Sequence, residues 1–389
     1  MSLSTTSTHQ TAQPLAGLLV IAMEQAVAAP LCTSRLCDAG ARVIKIERDG
    51  GDFARGYDQA ALGDSSYFAW LNHGKESLTL NYKEEQDKKL LHRLMDKADV
   101  FVQNLAPGVL ARNGFSDELI QQRNPRLITC NISGYGSSDK LNALKGYDLL
   151  VQAESGLLSV SGAPNAMGRI GVSLCDIGCG VSAHAGILEA LIQRSITGCG
   201  STVNVSLFDV AAEWMSVPLI HAETGPGAPE PMGLHHPSIA PYGAFKTRDG
   251  ELTILAIQNE REWHRLCHEV LRLPQLLSDE RFTSNDLRVE NRAALQQVIE
   301  DVSTNCSADE FRQRLTQANI AYGAINSVEE LSQHSALRRR IINNSTGDAL
   351  SIPAHPFHDE VIQRQNLNAK VPKPGEHTQV IQEEFGKAP

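Results

Sequence analysis

The sequence predicts an α/β protein: a large Rossmann-like domain with an open parallel sheet, followed by a smaller α+β domain. Three observations carry this. Short apolar runs alternate with helical periods through the first two hundred residues, a Gly/Pro stretch (Gly225-Pro-Gly-Ala-Pro-Glu-Pro231) breaks the pattern, and a hairpin signature followed by capped helices comes after it. At 389 residues the chain is longer than one average domain.

Leu18 to Ile21 reads as a strand, Pro30 to Cys37 as a helix with Gly40 beyond its end, and Val43 to Ile46 as a second buried strand. This β-α-β unit ends in Glu47, as a dinucleotide fold would. Its turn, Met23-Glu-Gln-Ala-Val-Ala-Ala-Pro30, has no G-x-G-x-x-G to admit a pyrophosphate, so a nicotinamide enzyme is not expected. A strand at Leu78 to Leu80 leads to a helix over 83–98, whose inward stripe is Leu90, Leu91, Leu94 and Met95. Val100 to Val102 is the next strand and ends at Asn104. A helix near 118–122, strands at 127–132 and 202–207, and a helix from Asp209 complete the alternation. Ligands of such sheets gather beyond the carboxyl ends of the strands, where Arg48, Asn104 and Gly134-Tyr135 fall.

Past the linker, Tyr242 to Phe245 and Leu252 to Ile257 flank the turn Arg248-Asp-Gly250 as a hairpin, and helices start near Glu260 and Arg292. Ser307-Ala-Asp-Glu310 and Ser327-Val-Glu-Glu330 both fit a capping box. The expected division is a flexible N-terminus over 1–14, a large domain over 15–224, a small domain over 225–326, and a segment over 327–389 that returns to the large domain. That last segment mixes a basic patch, Arg338-Arg-Arg340, with several prolines and ends in a short helix.

A net charge of −10 with dispersed acidic residues argues against nucleic acid or a membrane surface as partner. No apolar run is read as long enough to span a bilayer, and Met1 to Pro14 lacks the charged and apolar regions of a signal peptide, so a cytoplasmic protein is expected. Cys32, Cys37, Cys175 and Cys179 show no C-x-x-C spacing; reduced, buried thiols and no metal are expected.

The chemistry centres on Gly171-Val-Ser-Leu-Cys-Asp176-Ile-Gly-Cys-Gly180. Val181, Ala185, Leu188 and Ile192 recur at helical spacing after it, and Gly198 and Gly200 stop the pattern. Asp176 is thus placed at a strand-to-helix turn, where Gly178 and Gly180 would let an extended substrate approach. Helix capping is the alternative role for such an Asp.

Several stretches in order resemble the class III CoA-transferase family, which includes formyl-CoA and dicarboxylate CoA-transferases. They are Ala28-Ala29-Pro30, Gly40-Ala-Arg-Val-Ile-Lys-Ile-Glu-Arg48 with Asp52, Lys75-Glu-Ser-Leu-Thr-Leu80, and Ala98-Asp-Val-Phe-Val-Gln-Asn104. Pro107-Gly108, Arg112-Asn-Gly-Phe115, Asn124-Pro-Arg126, Ser133-Gly-Tyr135, Gly146-Tyr-Asp148 with Gln152 and Gly156, Ser173-Leu-Cys-Asp176 with Gly180, and Gly375-Glu-His-Thr378 continue the match. The resemblance runs from about Leu15 to the C-terminus. It implies exchange of CoA between an acyl-CoA and a free carboxylate, with Asp176 as nucleophile, coenzyme A as a substrate and no permanently bound cofactor. It also implies an interlocked homodimer. A carboxylate suits this chemistry because its anhydride and its CoA thioester both keep the acyl group activated, which an oxygen ester of Ser would not. Backbone N–H groups around Gly178 to Gly180 are candidate oxyanion donors.

The resemblance further implies CoA-binding roles for Arg48, Leu80, Lys83, Asn104, Arg112 and Lys145. Tyr147 stands where related acyl-CoA racemases carry a His beside an Asp; a phenol of pKa about 10 is poorly matched to α-proton abstraction at neutral pH, which favours transfer over racemisation. Val27 stands where formyl-CoA transferases place a Gln, and their glycine-rich loop is not found, which puts formate or oxalate chemistry in question. Gly233-Leu-His-His-Pro-Ser-Ile-Ala-Pro-Tyr-Gly243 instead resembles the branch that handles succinate, itaconate, mesaconate or citramalate, with His235, His236 and Ser238 as candidate contacts to a distal carboxylate. An acyl-CoA racemase and a non-catalytic acyl-CoA-binding protein are the alternatives.

Overall fold

The computed structural model describes residues 13–136, 140–141, 144–356 and 369–386. The chain divides into two compact units, one of Met1–Ser155, Ile170–Ser216 and Arg338–Pro389, the other of Gly156–Arg169 and Val217–Leu337. The expected flexible stretch 1–14 lies almost wholly outside the described residues.

In the larger unit the chain forms β1 (Leu19–Met23), α1 (Ala28–Asp38), β2 (Arg42–Glu47), α2 (Ser66–Asn72), β3 (Glu76–Thr79), α3 (Glu85–Lys97), β4 (Val100–Gln103), α4 (Val109–Arg112), α5 (Asp117–Arg123), β5 (Ile128–Ser133) and α6 (Asp148–Glu154). The smaller unit contributes α7 (Leu157–Val160), β6 (Gly162–Ala163) and β7 (Ala166–Met167). The chain then returns for α8 (Leu174–Thr197), β8 (Thr202–Ser206) and α9 (Leu207–Trp214). Six strands pair in the order β3-β2-β1-β4-β5-β8, all parallel. Strands such as Val20-Ile21-Ala22 are buried throughout, as sheets covered on both faces require. Strand order reverses at β1, between β2 and β4, so the loops after β1 and β4 border the crevice where such folds bind ligands.

Helix α8 differs from its sequence reading in three ways. Asp176 lies inside its first turn, with Ser173 at the N-cap, and no strand precedes it. Of the stripe Val181, Ala185, Leu188 and Ile192, Ala185 and Ile192 face outward, Ile192 being 63% exposed, and Val181 and Leu188 are half-buried, whereas Cys175, Cys179, Ala183, Ile187, Ala190 and Arg194 are buried. Both faces are apolar, so periodicity could not choose between them. The glycines serve packing rather than substrate approach: a Cβ on Gly178 would lie 2.3 Å from the Trp214 ring of α9, and one on Gly180 would lie 2.5 Å from the Ala28 carbonyl oxygen of α1. At 24 residues α8 is also long and apolar enough to cross a membrane, correcting the expectation that no such run exists; its buried face against α1, α9 and β5 marks it as the core helix of this unit.

A cluster of buried charges ties together the loop after β1, the strand β2 with the loop after it, and the residue just before β3. Lys45 Nζ is 2.9 Å from Asp52 and 3.5 Å from Glu24, and Lys75 Nζ is 2.7 Å from Glu24, all four side chains being inaccessible to solvent. Lys75 also donates to the Pro30 carbonyl and Asn72, and Thr33 donates to Glu24. Burial opposes ionisation of Glu24, yet Lys75 and Lys45 outweigh it and hold the carboxyl below its ordinary range. Two cations face two anions, which is how charges persist in a dry interior. Beside them Glu47 pairs with Arg55 at 2.7 Å and accepts from Ser77.

The C-terminal part of this unit adds a two-stranded sheet of β12 (Arg339–Asn343) and β13 (Ala349–Pro353) and the last helix, Thr378–Phe385. Arg340 pairs with Asp38 at 2.8 Å, so the basic patch is partly a strand anchored to α1. The Gly375-Glu-His-Thr378 stretch is stitched to the edge strand β3: Gly375 N–H donates to Ser77 Oγ, His377 N–H to the Ser77 carbonyl, Ser77 N–H to His377 Nδ1, and Thr79 N–H to Thr378 Oγ1.

The smaller unit continues through α10 (Ser216–Thr224), an antiparallel sheet ordered β11-β10-β9 from β9 (Tyr242–Lys246), β10 (Leu252–Ala256) and β11 (Ala321–Ala324), helices α11 (Glu260–Arg265), α12 (Asn285–Glu290), α13 (Arg292–Ser303) and α14 (Ala308–Gln317), and α15 (Val328–Gln333). Its core holds Phe245, Leu255, Trp263, Phe282 and Phe311, with buried Arg288 stacked on Trp263 and paired with Glu260. Its boundaries differ from the expected 225–326. It starts at Val217, ends at Leu337 and takes in Gly156–Arg169, because Gly162 accepts a hydrogen bond from Gly233 N–H at 2.7 Å. Both capping boxes are present, at Ser307 and Ser327.

The α1–α8 contact yields a test. Gly180→Ala adds about 1 kcal/mol of helix propensity but sets a methyl against an immovable backbone carbonyl, an overpacking cost of about 1–3 kcal/mol. A net loss of stability on urea titration is the expected outcome; a gain would show that the helices part easily.

Candidate active site

Four N–H groups at the start of a helix lack partners within it. In α8, Leu174 N–H donates to the Val172 carbonyl at 2.8 Å and Ile177 N–H to the Ser173 carbonyl at 2.9 Å. The two between them go to a distant residue: Asp148 Oδ1 accepts from Cys175 N–H at 2.8 Å and from Asp176 N–H at 3.4 Å. Asp148 opens α6, and its Oδ2 accepts from Gln152 Nε2 at 2.7 Å; Gln152, fully buried, accepts in turn from Ile170 N–H at 3.1 Å. Asp148, not Asp176, therefore caps α8. The Asp176 carboxyl is left without a hydrogen bond among the described residues.

That position is costly for a charge. Burial, and then the Asp148 carboxylate, push Asp176 up to about 7. A helix N-terminus favours an anion, but here Asp148 already occupies its free donors. Near neutral pH the group therefore exists as both acid and carboxylate, and the carboxylate form is unusually basic for an Asp. Cys175 is pushed up to about 12, by burial first and then by Asp148 and Asp176, and Cys179 is raised as well; both are buried, protonated thiols rather than nucleophiles.

Aromatic side chains accompany the carboxyl. Burial, with smaller pushes from Asp52, Asp176 and Tyr147, raises the Tyr57 phenol to about 12, so it remains a donor at neutral pH. Tyr57 packs edge-on against Tyr67 at 5.6 Å and beside Phe53 at 5.8 Å. Tyr147, at the N-cap of α6, is 58% exposed. Val27 packs with Ile177 of α8, which brings the loop after β1 next to the helix that carries Asp176. This loop is rigid: Asn104 accepts from Gln25 N–H and donates to its carbonyl, and Asp52 accepts from Ala26 N–H, holding Ala26 at φ 62°.

The residues expected to bind CoA separate into two groups. Arg48, Lys83, Arg112 and Lys145 are exposed, in no ion pair among the described residues, and the first three follow β2, β3 and β4. Arg112 folds back over Gly108, where a Cβ would sit 2.7 Å from its Nη1. Leu80 and Asn104 differ: the Leu80 side chain is buried in the core with its N–H bonded to the Glu47 carbonyl, and the Asn104 amide clamps Gln25. Both shape the crevice rather than offering a free side chain.

His235, His236 and Ser238 lie in the smaller unit and line a cavity of about 820 Å³ together with Glu230, Asp286 and Glu290. His236 stacks on Tyr242 and its Nδ1 accepts from Ser238 N–H at 3.1 Å. Burial, with Arg292 adding, lowers both imidazoles below their ordinary range. The proposed oxyanion donors are not available, because Gly178 to Gly180 sit inside α8 and their N–H groups belong to its i→i−4 ladder. Asp148 and Tyr57 were given no role in the sequence reading. Nothing local marks Tyr57, and the Asp148 contact spans 27 residues. The buried cluster has a signal in the sequence, the charge inside the apolar run Val43-Ile-Lys-Ile46, which the strand reading leaves unused.

The raised Asp176 affinity for protons has a thermodynamic signature. Between about pH 4, where an ordinary Asp titrates, and about 7, the folded chain holds a proton the unfolded chain has released, so stability falls across that window as pH rises. Asp176→Asn lacks this loss. Its melting temperature is expected to match the parent near pH 4 and to exceed it by a few degrees above pH 7; equal curves at all pH values would contradict the site description.

CoA-transferase family III matches residues 15–378 of the chain. An acyl-CoA transferase of Fusarium pseudograminearum is 34% identical over 392 residues, covering 96% of this chain and 85% of that protein. An acetyl-CoA:oxalate CoA-transferase of Acetobacter aceti is 33% identical with 96% of each covered, and the succinyl-CoA:glutarate CoA-transferase of Mus musculus is 31% identical, covering 96% and 86%. Among solved structures, a CAIB/BAIF family protein from Brucella suis superposes with a TM-score of 0.80 at 30% identity, covering 96% of this chain and all of that one. The chain therefore belongs to CoA-transferase family III, and it is an enzyme that takes acyl-CoA as substrate.

Proposed function

We propose that the enzyme moves CoA from succinyl-CoA to a small dicarboxylic acid, with Asp176 as nucleophile. The observation that carries this is the Asp176 carboxyl itself, partly buried, without a hydrogen bond and raised to about 7. An Asp oxygen bonds to the thioester carbonyl carbon as the C–S bond breaks, and the CoA thiolate leaves with the electron pair. The thiolate then attacks the Asp carbonyl carbon of the mixed anhydride, releasing the donor acid as carboxylate and leaving aspartyl-CoA. The acceptor carboxylate runs the same two steps in reverse order. A thioester is exchanged for a thioester, so the reaction needs neither ATP nor a metal.

Arg48, Lys83, Arg112 and Lys145 are proposed to bind the phosphates of CoA, since unpaired cations beyond strand ends suit that role. Tyr147 is proposed to face the substrate and Tyr57 to donate toward its acyl oxygen. The dicarboxylate assignment draws support from the glutarate-using relative and from the His235, His236 and Ser238 cluster. Oxalate is a further candidate acceptor, because a relative is an acetyl-CoA:oxalate CoA-transferase.

We further propose an interlocked homodimer. The apolar face of α8 leaves Ile196 81% exposed, and α10 has no buried residue although it carries Val217, Leu219 and Ile220. Surfaces of this kind are covered by protein in stable assemblies. Light scattering is expected to give about twice the 42.3 kDa chain mass; a monomer would overturn the dimer alone.

With succinyl-CoA and no acceptor, intact mass analysis is expected to show an adduct that peptide mapping places on Asp176. Its rate should fall as pH drops below about 7, because the acid form cannot attack. Asp176→Ala is expected to lose at least about 10³-fold in turnover. Persistent activity would refute the nucleophile, and α-proton exchange with deuterated water without transfer would turn the reading to a racemase.

A further inference from the structure

We propose that Asp148 is a positioning residue for the reaction: its carboxylate seats the first turn of α8 and, by its charge, makes ionised Asp176 the strained form that acylation relieves. This rests on Asp176 being the nucleophile and adds what drives its acylation.

The geometry separates two tasks within one side chain. Asp148 Oδ1 receives the Cys175 and Asp176 N–H groups, while Oδ2 is held by Gln152, whose own oxygen is fixed by Ile170 N–H. The chain Ile170–Gln152–Asp148–α8 therefore sets where the Asp176 backbone sits. It also fixes a second carboxylate beside the reacting one, at donors that would otherwise have stabilised the Asp176 charge.

Among the described residues no cation is paired with Asp176. The titratable groups that face α8 near its start are Asp148 and Tyr147 of α6, Tyr57, and the thiols Cys175 and Cys179 of α8 itself. Cys130 of β5 and Asp209 of α9 act on Cys179, Cys179 acts on Cys32 of α1, and Arg35 of α1 faces His184 two turns further along. Of all these only Asp148 acts on Asp176.

The consequence follows from where the electrons go. When an Asp176 oxygen bonds to the thioester carbon and the C–S bond breaks, the negative charge passes from the side chain to the departing sulfur. In the following step it passes to the donor carboxylate, while the aspartyl group stays neutral. Repulsion by Asp148 is present before the first bond forms and absent in both covalent intermediates. Removing it is expected to stabilise the resting carboxylate and to slow acylation where Asp176 is ionised.

The test compares Asp148→Asn with Gln152→Met by following adduct formation from succinyl-CoA between pH 5 and 9. Asn keeps an acceptor for Cys175 N–H but loses the charge and the Gln152 bond; Met loses that bond and keeps the charge. Parent and Gln152→Met are expected to share an acid limb near 7. In Asp148→Asn the limb is expected to move to lower pH by about one unit or more, with roughly tenfold slower acylation at pH 8, so that the profiles converge in acid. An unmoved limb in Asp148→Asn, or an equal displacement in Gln152→Met, would overturn the proposal while leaving the nucleophile intact. If no protein forms an adduct at any pH, the nucleophile reading fails and this one with it. A single cooperative melting transition at pH 8 shows that each variant is folded.

Discussion

The close seat of α8 is the constraint on which the site depends. A 24-residue helix with apolar residues on every side could rotate to bury any of several faces. Two glycines on opposite sides of one turn remove that freedom, one admitting the Trp214 ring and the other the Ala28 carbonyl. With α8 fixed between α1 and α9, the start of the helix, and with it Asp176, has a single place relative to the crevice loops. Glycine inside a helix weakens it by about 1 kcal/mol relative to alanine, a loss the close packing offsets.

Buried charge is handled in two opposite ways within the large unit. Around β1 to β3 every ion has a counter-ion and the remaining donors have carbonyls, and this neutral lattice holds the loop from Glu24 to Val27 in shape. Among the described residues Asp176 has neither counter-ion nor donor, and a second carboxylate stands next to it. Such a group lowers stability wherever it is ionised, which is a recognised pattern at reacting centres. Rigidity in the first cluster makes the tension in the second sustainable, because a soft loop beside α8 would let water in and dissipate it.

The parallel sheet was legible because its strands are covered on both faces and read as unbroken apolar runs, as at Val20–Ala22 and Val43–Ile44. The ordered motifs single out Asp176 as the candidate nucleophile, whereas its surroundings are not legible in the sequence. The face of α8 could not be chosen when Leu188 and Ile187 are equally apolar. The cap supplied by Asp148 depends on a contact that no local pattern encodes. Leu80 matched a family position by sequence while its side chain serves the core, a distinction that only burial reveals. The excursion Gly156–Arg169 carries no linker composition, so the expected boundary missed it.

The stitching of Gly375 to Thr378 along β3 bears on how the chain matures. Until synthesis has passed these residues, β3 has one bare row of amides and carbonyls, although its neighbours β2 and β1 emerged long before. A nascent chain thus presents an open sheet edge throughout the time that the smaller unit is being made, and unpaired edges attract other strands. Truncation ahead of Gly375 would leave that edge exposed, so protection from edge-to-edge pairing comes with the Gly375–Thr378 stretch rather than with completion of the central sheet.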